Sequence, residues 1–488
     1  MLNANIYNVA QIRAIEALAQ QHGVSETVLM QRAGQAALHI LKNAWPQARY
    51  VTVLCGPGNN GGDGYVLAYL AHRLGLHVVV QHVGSCDKLS VAAKAALTLC
   101  QKEQIHIEPF QGQLKLADVI VDALFGIGLT GTVSDEYVSA IQAINEAPAP
   151  VLALDIPSGV HADTASFDTI AVNADVTATF IGLKLGLLTG KGLEMSGKVI
   201  VNHLDLPKEL FEQVPHIGKT CAFSDFKTLL PKRLLNANKS DFGHLLIVGG
   251  TIGFNGAVRI TAEAALKLGT GLVTVATHPH HAALVNIHYP EIMSHPIANA
   301  KQLDKLIEKA TAIVVGPGLG QDAWARSLFK RVLVTKKPLV VDADALNLLA
   351  KKPMRKDHWV LTPHPGEAAR LLQTTTDKVQ ANRSQAVESL YKTYGGVCLL
   401  KGAGTFIQSQ ASTLRVLRDG NPGMASAGMG DALCGMIGGL LAQGFSLLDA
   451  TVKGSALHAR AADITAKDGE HGLLATDVIT VMKQLLNS

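Results

Sequence analysis

N-P-G-M-A-S-A-G-M-G-D, residues 421–431, runs directly into the apolar segment A-L-C-G-M-I-G-G-L-L-A. The first part is small, turn-rich and glycine-heavy, and the second reads as a buried helix. A glycine-rich turn that opens a helix lets backbone N–H groups converge on one point, and the helix dipole adds partial positive charge there. Such a place suits an anion, most often phosphate. Asp431 adds a carboxylate at the edge of that hole, so the pattern suggests phosphate chemistry beside a general base. A helix start whose acid only complements the dipole looks the same in isolation, and the rest of the chain has to decide.

Upstream of this stretch the chain is an α/β series that begins at His244. L-L-I-V-G-G reads as a strand, and further strands are expected at 271–276, 312–315, 338–341, 359–361 and 397–400. The loops that follow them carry the chemistry. Residues 255–257 and 316–320 are small and allow a ligand to approach closely. Asp342 and Asp344 suit a hydrated magnesium, a hydroxyl or a helix cap equally. Pro363 and Pro365 stiffen a turn that presents His364. Lys401-Gly402-Ala403-Gly404-Thr405 offers an ammonium, backbone N–H groups and a hydroxyl, a phosphate cradle.

The first half repeats the strand–loop–helix rhythm. Residues 8–22 and 25–43 carry apolar residues at helical spacing, and residues 50–54 then read as a strand leading into C-G-P-G-N-N-G-G-D-G and a helix. That loop is neither a Walker A loop nor a G-x-G-x-x-G fingerprint. Asn59, Asn60 and Asp63 add oxygens suited to a hard cation or ribose hydroxyls, although a tight Asn-Gly turn accounts for the same residues. A strand at 77–82, a helix at 88–101, a strand at 117–122, a helix around 134–145 and strands at 151–155 and 175–181 complete the pattern. In open parallel sheets the ligand lies beyond the carboxyl ends of the strands. Asn60, Asp122, residues 126–132, Asp155 and Ser158 should therefore converge, with Lys184 near the same edge.

Composition sets the frame. A chain of 488 residues with 48% hydrophobic and 17% charged residues fits a folded enzyme of two or three domains. A net charge of +4 without a basic run does not imply nucleic acid. No apolar run approaches a membrane span, and the N-terminus lacks the basic and apolar regions of a signal peptide. The six cysteines are scattered without C-x-x-C spacing and read as reduced, mostly buried thiols of a cytoplasmic protein. His278, His280 and His281 read as a loop cluster rather than a zinc site. Periodicity fades where prolines and basic residues gather, which puts the domain boundary near 215–225.

In their order and spacing G-P-G-N-N-G-G-D-G, D-A-L-F-G-I-G-L-T-G and A-L-D-I-P-S-G resemble the NAD(P)H-hydrate epimerase domain, over most of residues 8–215. V-G-P-G-L-G, D-A-D-A-L, T-P-H-P-G-E, L-L-K-G-A-G-T and the 421–431 stretch resemble the ADP-dependent NAD(P)H-hydrate dehydratase domain, over about residues 230–485. The resemblance implies domains at 1–220 and 221–488. The first is expected to be a Rossmann-like parallel-sheet sandwich and the second a ribokinase-like α/β domain. It also implies a bifunctional repair enzyme. The first domain would interconvert the R and S forms of a cofactor hydrated at C6 of the nicotinamide. The second would dehydrate the S form while ADP becomes AMP and phosphate.

By the same resemblance, Asn59, Asn60, Gly61, Gly62, Asp63, Gly126, Ile127, Gly128, Leu129, Thr130, Gly131, Thr132, Tyr137 and Asp155 would bind the hydrate in the first domain. Asn60, Asp122 and Ser158 would hold a potassium ion. Asp155 is the expected catalytic group there, with Lys184 as a second candidate. The family often has Pro-Lys where this chain has Leu183-Lys184. In the second domain Ala257, Gly318, His364 and Asp431 would contact the hydrate, with Asp431 as catalytic base. Lys401, Gly402, Ala403, Gly404, Thr405 and Gly430 would hold the AMP part of the nucleotide, and magnesium would bridge its phosphates. The expected partners are these small molecules, with neither nucleic acid nor membrane, in a homo-oligomer. Two other functions use the same residues: a ribokinase-type small-molecule kinase in the second half, and a non-catalytic nucleotide-binding module in the first.

Overall fold

The computed structural model describes residues 4–86, 89–129, 131–226, 228–410 and 412–487. The chain forms two compact units, Met1–Lys219 and Thr220–Ser488.

In the first unit the strands lie in the order His106–Pro109, His77–His82, Tyr50–Cys55, Val119–Ala123, Val151–Leu154, Val176–Phe180 and Lys198–Asn202, and every pairing is parallel. Chain order reverses between Tyr50–Cys55 and Val119–Ala123, the switch point of a doubly wound sheet. Successive side chains of a strand face opposite ways, and both faces are buried. Val51, Val53, Val119, Val121, Leu152 and Leu154 enter one apolar cluster; Leu54, Ile120, Val151 and Ala153 enter another.

The helices Val9–Gln21 and Glu26–Ala44 cover the first of these faces. Asn8 opens the former with a capping box: its side chain accepts from the Gln11 N–H, and the Gln11 side chain accepts from the Asn8 N–H. The helix expected at 88–101 begins at Val91, because Ser90 accepts from the Ala93 N–H and caps it; Lys88 lies outside the described residues.

In the second unit the order is Met293–Pro296, Leu272–Thr277, His244–Val248, Ala312–Val315, Leu339–Val341, Trp359–Leu361 and Val397–Leu400, all parallel. The antiparallel strands Phe406–Ser409 and Ser412–Leu417 continue the sheet. Its switch point lies between His244–Val248 and Ala312–Val315. The helix Met429–Ala442 crosses this sheet, and every residue from Ala432 to Ala442 is buried, as its continuous apolar sequence requires.

The strands at 77–82, 312–315, 359–361 and 397–400 form at the expected bounds. Three parallel strands, His106–Pro109, Lys198–Asn202 and Met293–Pro296, were not expected. Each is an edge strand whose residues are half-buried or exposed; H-I-E-P and M-S-H-P have no hydrophobic run, whereas K-V-I-V-N has a short one that sequence reasoning missed. Among the described residues no helix is long and apolar enough to cross a membrane, and all six cysteines are free. His278, His280 and His281 form a local turn. His278 accepts from the His280 N–H, and the His281 ring bonds the Gly250 carbonyl.

Candidate active sites

In the first unit a cavity of about 390 Å³ opens at the switch point, beyond the ends of Tyr50–Cys55 and Val119–Ala123. Asn59, Asn60, Asp63, Gly126, Ile127, Gly128, Leu129, Asp155 and Lys184 line it. Asp155 follows the strand Val151–Leu154 with φ +65°, a left-handed backbone that costs a non-glycine residue on the order of 1–3 kcal/mol. Its carboxylate accepts from Lys184 Nζ, from the Phe180 N–H at 3.4 Å and from the Ile127 N–H at 3.4 Å. Lys184 is fully buried, and its ammonium also donates to Thr179 Oγ1 at 2.9 Å and the Phe180 carbonyl at 2.7 Å. An ammonium has three N–H donors, and these partners take all three. Lys184 therefore fixes the position of the Asp155 carboxyl group and has no donor left for a ligand.

Two more carboxyls line the cavity. Burial, with the charges of Asp155 and Glu16, pushes Asp63 well above the usual carboxylate range, against the pull of Lys184. Burial and Asp155 likewise raise Glu16, on the helix Val9–Gln21. Amphipathic spacing placed that helix, but nothing in the sequence marked Glu16 as a wall of the site.

Asp122 lies beneath, fully buried. It accepts from Ser158 Oγ at 2.6 Å and from the Ser158 N–H at 2.8 Å; burial raises it to about 6 although these bonds pull it down. The side chain of Asn60 is 7% exposed, and neither its oxygen nor its nitrogen has a hydrogen-bond partner. A Cβ on Gly126 would lie 3.1 Å from Asp155 Oδ2 and 3.4 Å from Asn60 Cγ, so the three residues meet. Gly61 packs under the loop, where a Cβ would sit 2.0 Å from the Gly56 carbonyl oxygen. Gly62 likewise faces inward, against Met30. Gly131 and Thr132 are not among the cavity-lining residues. Nor is Tyr137, which stacks near Phe125 and donates to the Val83 carbonyl at 3.3 Å. Thr130 lies outside the described residues.

In the second unit the 421–431 stretch builds the expected helix start. Asn421 accepts from the Gly423 N–H, and Gly428 takes φ +87° as the residue before the helix Met429–Ala442. Lys401 Nζ donates to Asp342 Oδ1 at 2.9 Å and lies 3.9 Å from Glu367 Oε2. A Cβ on Gly430 would come 3.4 Å from Lys401 Nζ and 3.6 Å from Asp342 Oδ2, so this pair sits against the helix opening. Asp342 also accepts from Thr362 Oγ1 at 2.8 Å and Cys434 Sγ at 3.1 Å. Burial alone would raise Asp342, but Lys401 and these bonds outweigh it and hold the carboxyl below its usual range. Burial would lower Lys401, and the carboxylates of Asp342 and Glu367 reverse that.

Asp431 stands apart from this network. Burial and the Asp342 charge push it up to about 7, with Lys401 pulling the other way. No described residue donates a hydrogen bond to its carboxylate.

Ala257 and Gly318 are neighbours, since a Cβ on Gly318 would lie 3.2 Å from Ala257 Cβ. His364 is exposed and caps its helix, with Nδ1 accepting from the Gly366 N–H at 3.0 Å. Asp344 accepts from the Gly320 N–H at 2.8 Å and holds the 316–320 loop. Asp342 is thus the lysine's partner and Asp344 a loop anchor. Sequence reasoning missed Glu367 and the Asp342–Lys401 pair, since their positions are far apart along the chain.

A protein-family model described as NAD(P)H-hydrate dehydratase matches residues 245–484, and one described as the YjeF-related protein N-terminus matches residues 26–186. The bifunctional NAD(P)H-hydrate repair enzyme Nnr of Coxiella burnetii is 47% identical over 484 residues, covering 99% of this chain and 99% of its own. That of Escherichia coli is 41% identical over 468 residues, covering 95% and 90%. Among solved structures, a ribokinase-like superfamily protein from Enterococcus faecalis is 28% identical with a TM-score of 0.51, covering 55% of this chain and 95% of its own. An ADP/ATP-dependent NAD(P)H-hydrate dehydratase from Bacillus subtilis, co-crystallized with ATP/Mg2+, is 28% identical with a TM-score of 0.50, covering 53% and 94%. The second unit has the ribokinase-like fold, and over its whole length the chain belongs to the family of bifunctional NAD(P)H-hydrate repair enzymes.

Proposed function

We propose that the first unit interconverts the R and S forms of NAD(P)H hydrate and the second dehydrates the S form at the expense of ADP. The observation that carries the second activity is Asp431, an unpaired carboxyl raised to about 7 beside the Lys401–Asp342 pair at a helix opening. Hydroxide is a poor leaving group and phosphate a good one. Asp431 takes the proton of the C6 hydroxyl as that oxygen attacks the β-phosphorus of ADP, and AMP departs. The helix opening at 427–430 stabilises charge on the transferred group. The ring nitrogen then expels phosphate, and C5 loses a proton to restore the dihydronicotinamide. Lys401, Gly402, Ala403, Gly404, Thr405 and Gly430 hold the AMP part. Magnesium neutralises phosphate charge when bound with the nucleotide.

In the first unit the ring nitrogen expels the C6 hydroxyl to give a flat iminium, and water returns to either face. Asp155, in its protonated form, gives its proton to the departing C6 hydroxyl and takes one back from the incoming water, and Lys184 holds its carboxyl group in place. Asn60, Asp122 and Ser158 fit a potassium ion: among the described residues Asn60 has a buried oxygen without a partner, and Asp122 is a fully buried carboxyl bonded to Ser158 and backbone N–H groups alone. There the ion supplies fixed positive charge beneath the loop. Free thiols among the described residues suit a reducing compartment, so we assign the chain to the cytoplasm.

The test is to incubate the chain with mixed-epimer hydrate and ADP and follow recovery of reduced cofactor with release of AMP and phosphate. Complete recovery supports both activities. A stable phosphorylated acceptor in place of free phosphate would make the second unit a kinase. Asp155→Asn should abolish interconversion while dehydration of the S form continues.

A further inference from the structure

Arg383 is 1% exposed, among the largest fully buried side chains of the chain, and none of the expected site residues explains it. It opens the helix Arg383–Tyr394, whose start is capped by Asn382 through the Gln385 N–H. Its guanidinium lies beneath residues 401–405. Nη2 donates to the carbonyls of Leu400 at 3.4 Å, Lys401 at 3.2 Å and Gly404 at 3.4 Å, and Nη1 donates to Gln380 Oε1 at 2.9 Å. The Phe406 ring lies under it, 5.5 Å away. Burial without enough compensation lowers even this group, to about 10.

The loop rests directly on the fork. Gly402 takes φ +136°, and a Cβ there would lie 2.8 Å from Arg383 Nη1. A trans peptide is planar, so its carbonyl and the next N–H point in opposite directions. Drawing the Lys401 and Gly404 carbonyls down to the guanidinium turns the N–H groups of Gly402 and Thr405 up, away from it. N–H groups turned to the same side of a loop offer donors to an anion there. Nη2 gathers the three loop carbonyls while Nη1 is held on Gln380, a planar two-sided geometry that an ammonium does not reproduce.

We propose that Arg383 is a positioning residue for the nucleotide: from beneath, it sets the peptide orientations that make residues 401–405 a phosphate cradle. The inference rests on ADP being the ligand of that loop. Arg383 touches no reacting atom, so it governs nucleotide affinity rather than the chemical step.

The experiment uses the full chain and measures ADP binding by calorimetry without hydrate, then KM for ADP and kcat for dehydration. Arg383→Met should weaken ADP binding and raise KM roughly tenfold or more, with kcat changed less than about threefold at saturating ADP. Arg383→Lys should fall between, because it restores charge but not the fork. Gln380→Ala, which removes one acceptor and leaves the guanidinium in place, should weaken ADP binding by a smaller factor and keeps the test alive if Arg383→Met does not fold. Epimerase activity and a cooperative melt report the integrity of each preparation. Unchanged ADP affinity in folded Arg383→Met overturns the inference, as does loss of kcat with KM unchanged. Wild-type chain that fails to bind ADP overturns the functional reading itself, a separate result.

Discussion

Both units bury a lysine against a carboxylate at the edge of a parallel sheet, and they use the pair differently. In the first, Lys184 spends all three donors on Asp155, Thr179 and the Phe180 carbonyl, and the paired carboxylate itself faces the cavity. In the second, Lys401 pairs with Asp342, while the exposed edge of the site belongs to another carboxylate, Asp431, which remains unpaired. A carboxyl group held by a buried ammonium has a fixed position. An unpaired one, raised by burial, takes a proton near neutral pH. The first arrangement suits a group that must keep one position while a proton passes between it and the C6 oxygen. The second suits a base that must deprotonate an alcohol.

The comparison breaks first at Asp431. Asp431→Asn should lower kcat for dehydration by roughly 10³-fold, the scale of a lost general base, and leave epimer interconversion untouched. Dehydration at the normal rate would remove Asp431 from the chemistry. Lys184→Met comes next. It strands the Asp155 carboxylate in a buried site, which should cost the first unit about 3 kcal/mol in denaturant unfolding. A change within error would mean that the pair contributes nothing to the stability of the first unit. The third effect is pH. The base acts only as carboxylate, and Asp431 is raised to about 7, so kcat should be flat above neutrality. Below about pH 7 it should fall roughly tenfold per unit. An acid limb near the ordinary carboxylate range would show that Asp431 is paired in the working complex. The smallest is Thr362→Val, which removes one donor from Asp342 and should lower the second unit's stability by about 1 kcal/mol, read from a thermal melt.

Much of this was legible in the sequence, for a physical reason. Strand-end glycines, Asp155, Lys401 and Asp431 sit in local patterns where backbone geometry demands particular residues. The same holds for the helix at 429–442, whose unbroken apolar run admits one environment. What stayed hidden depends on neighbours distant in sequence. Glu367 and Asp342 become meaningful only when the sheet brings them to Lys401, 34 and 59 residues away along the chain. Arg383 looks like any surface cation at a helix start until the 401–405 loop is folded over it. Glu16 becomes a wall of the first cavity only when its helix packs beside the sheet. The edge strands His106–Pro109 and Met293–Pro296 had no apolar run to betray them.

The burial of the helix Met429–Ala442 has a consequence for how activity fails. Asp431 rides on an element that has no solvent-facing side from Ala432 onward, so it cannot be in place before the unit's core has closed around it. No half-assembled second unit should dehydrate anything. Trp359, 0% exposed in the same sheet, offers a spectroscopic witness. Across a denaturant series its fluorescence and the dehydration rate should disappear over one common midpoint, so that heat or crowding stress removes working molecules one at a time rather than dimming all of them together.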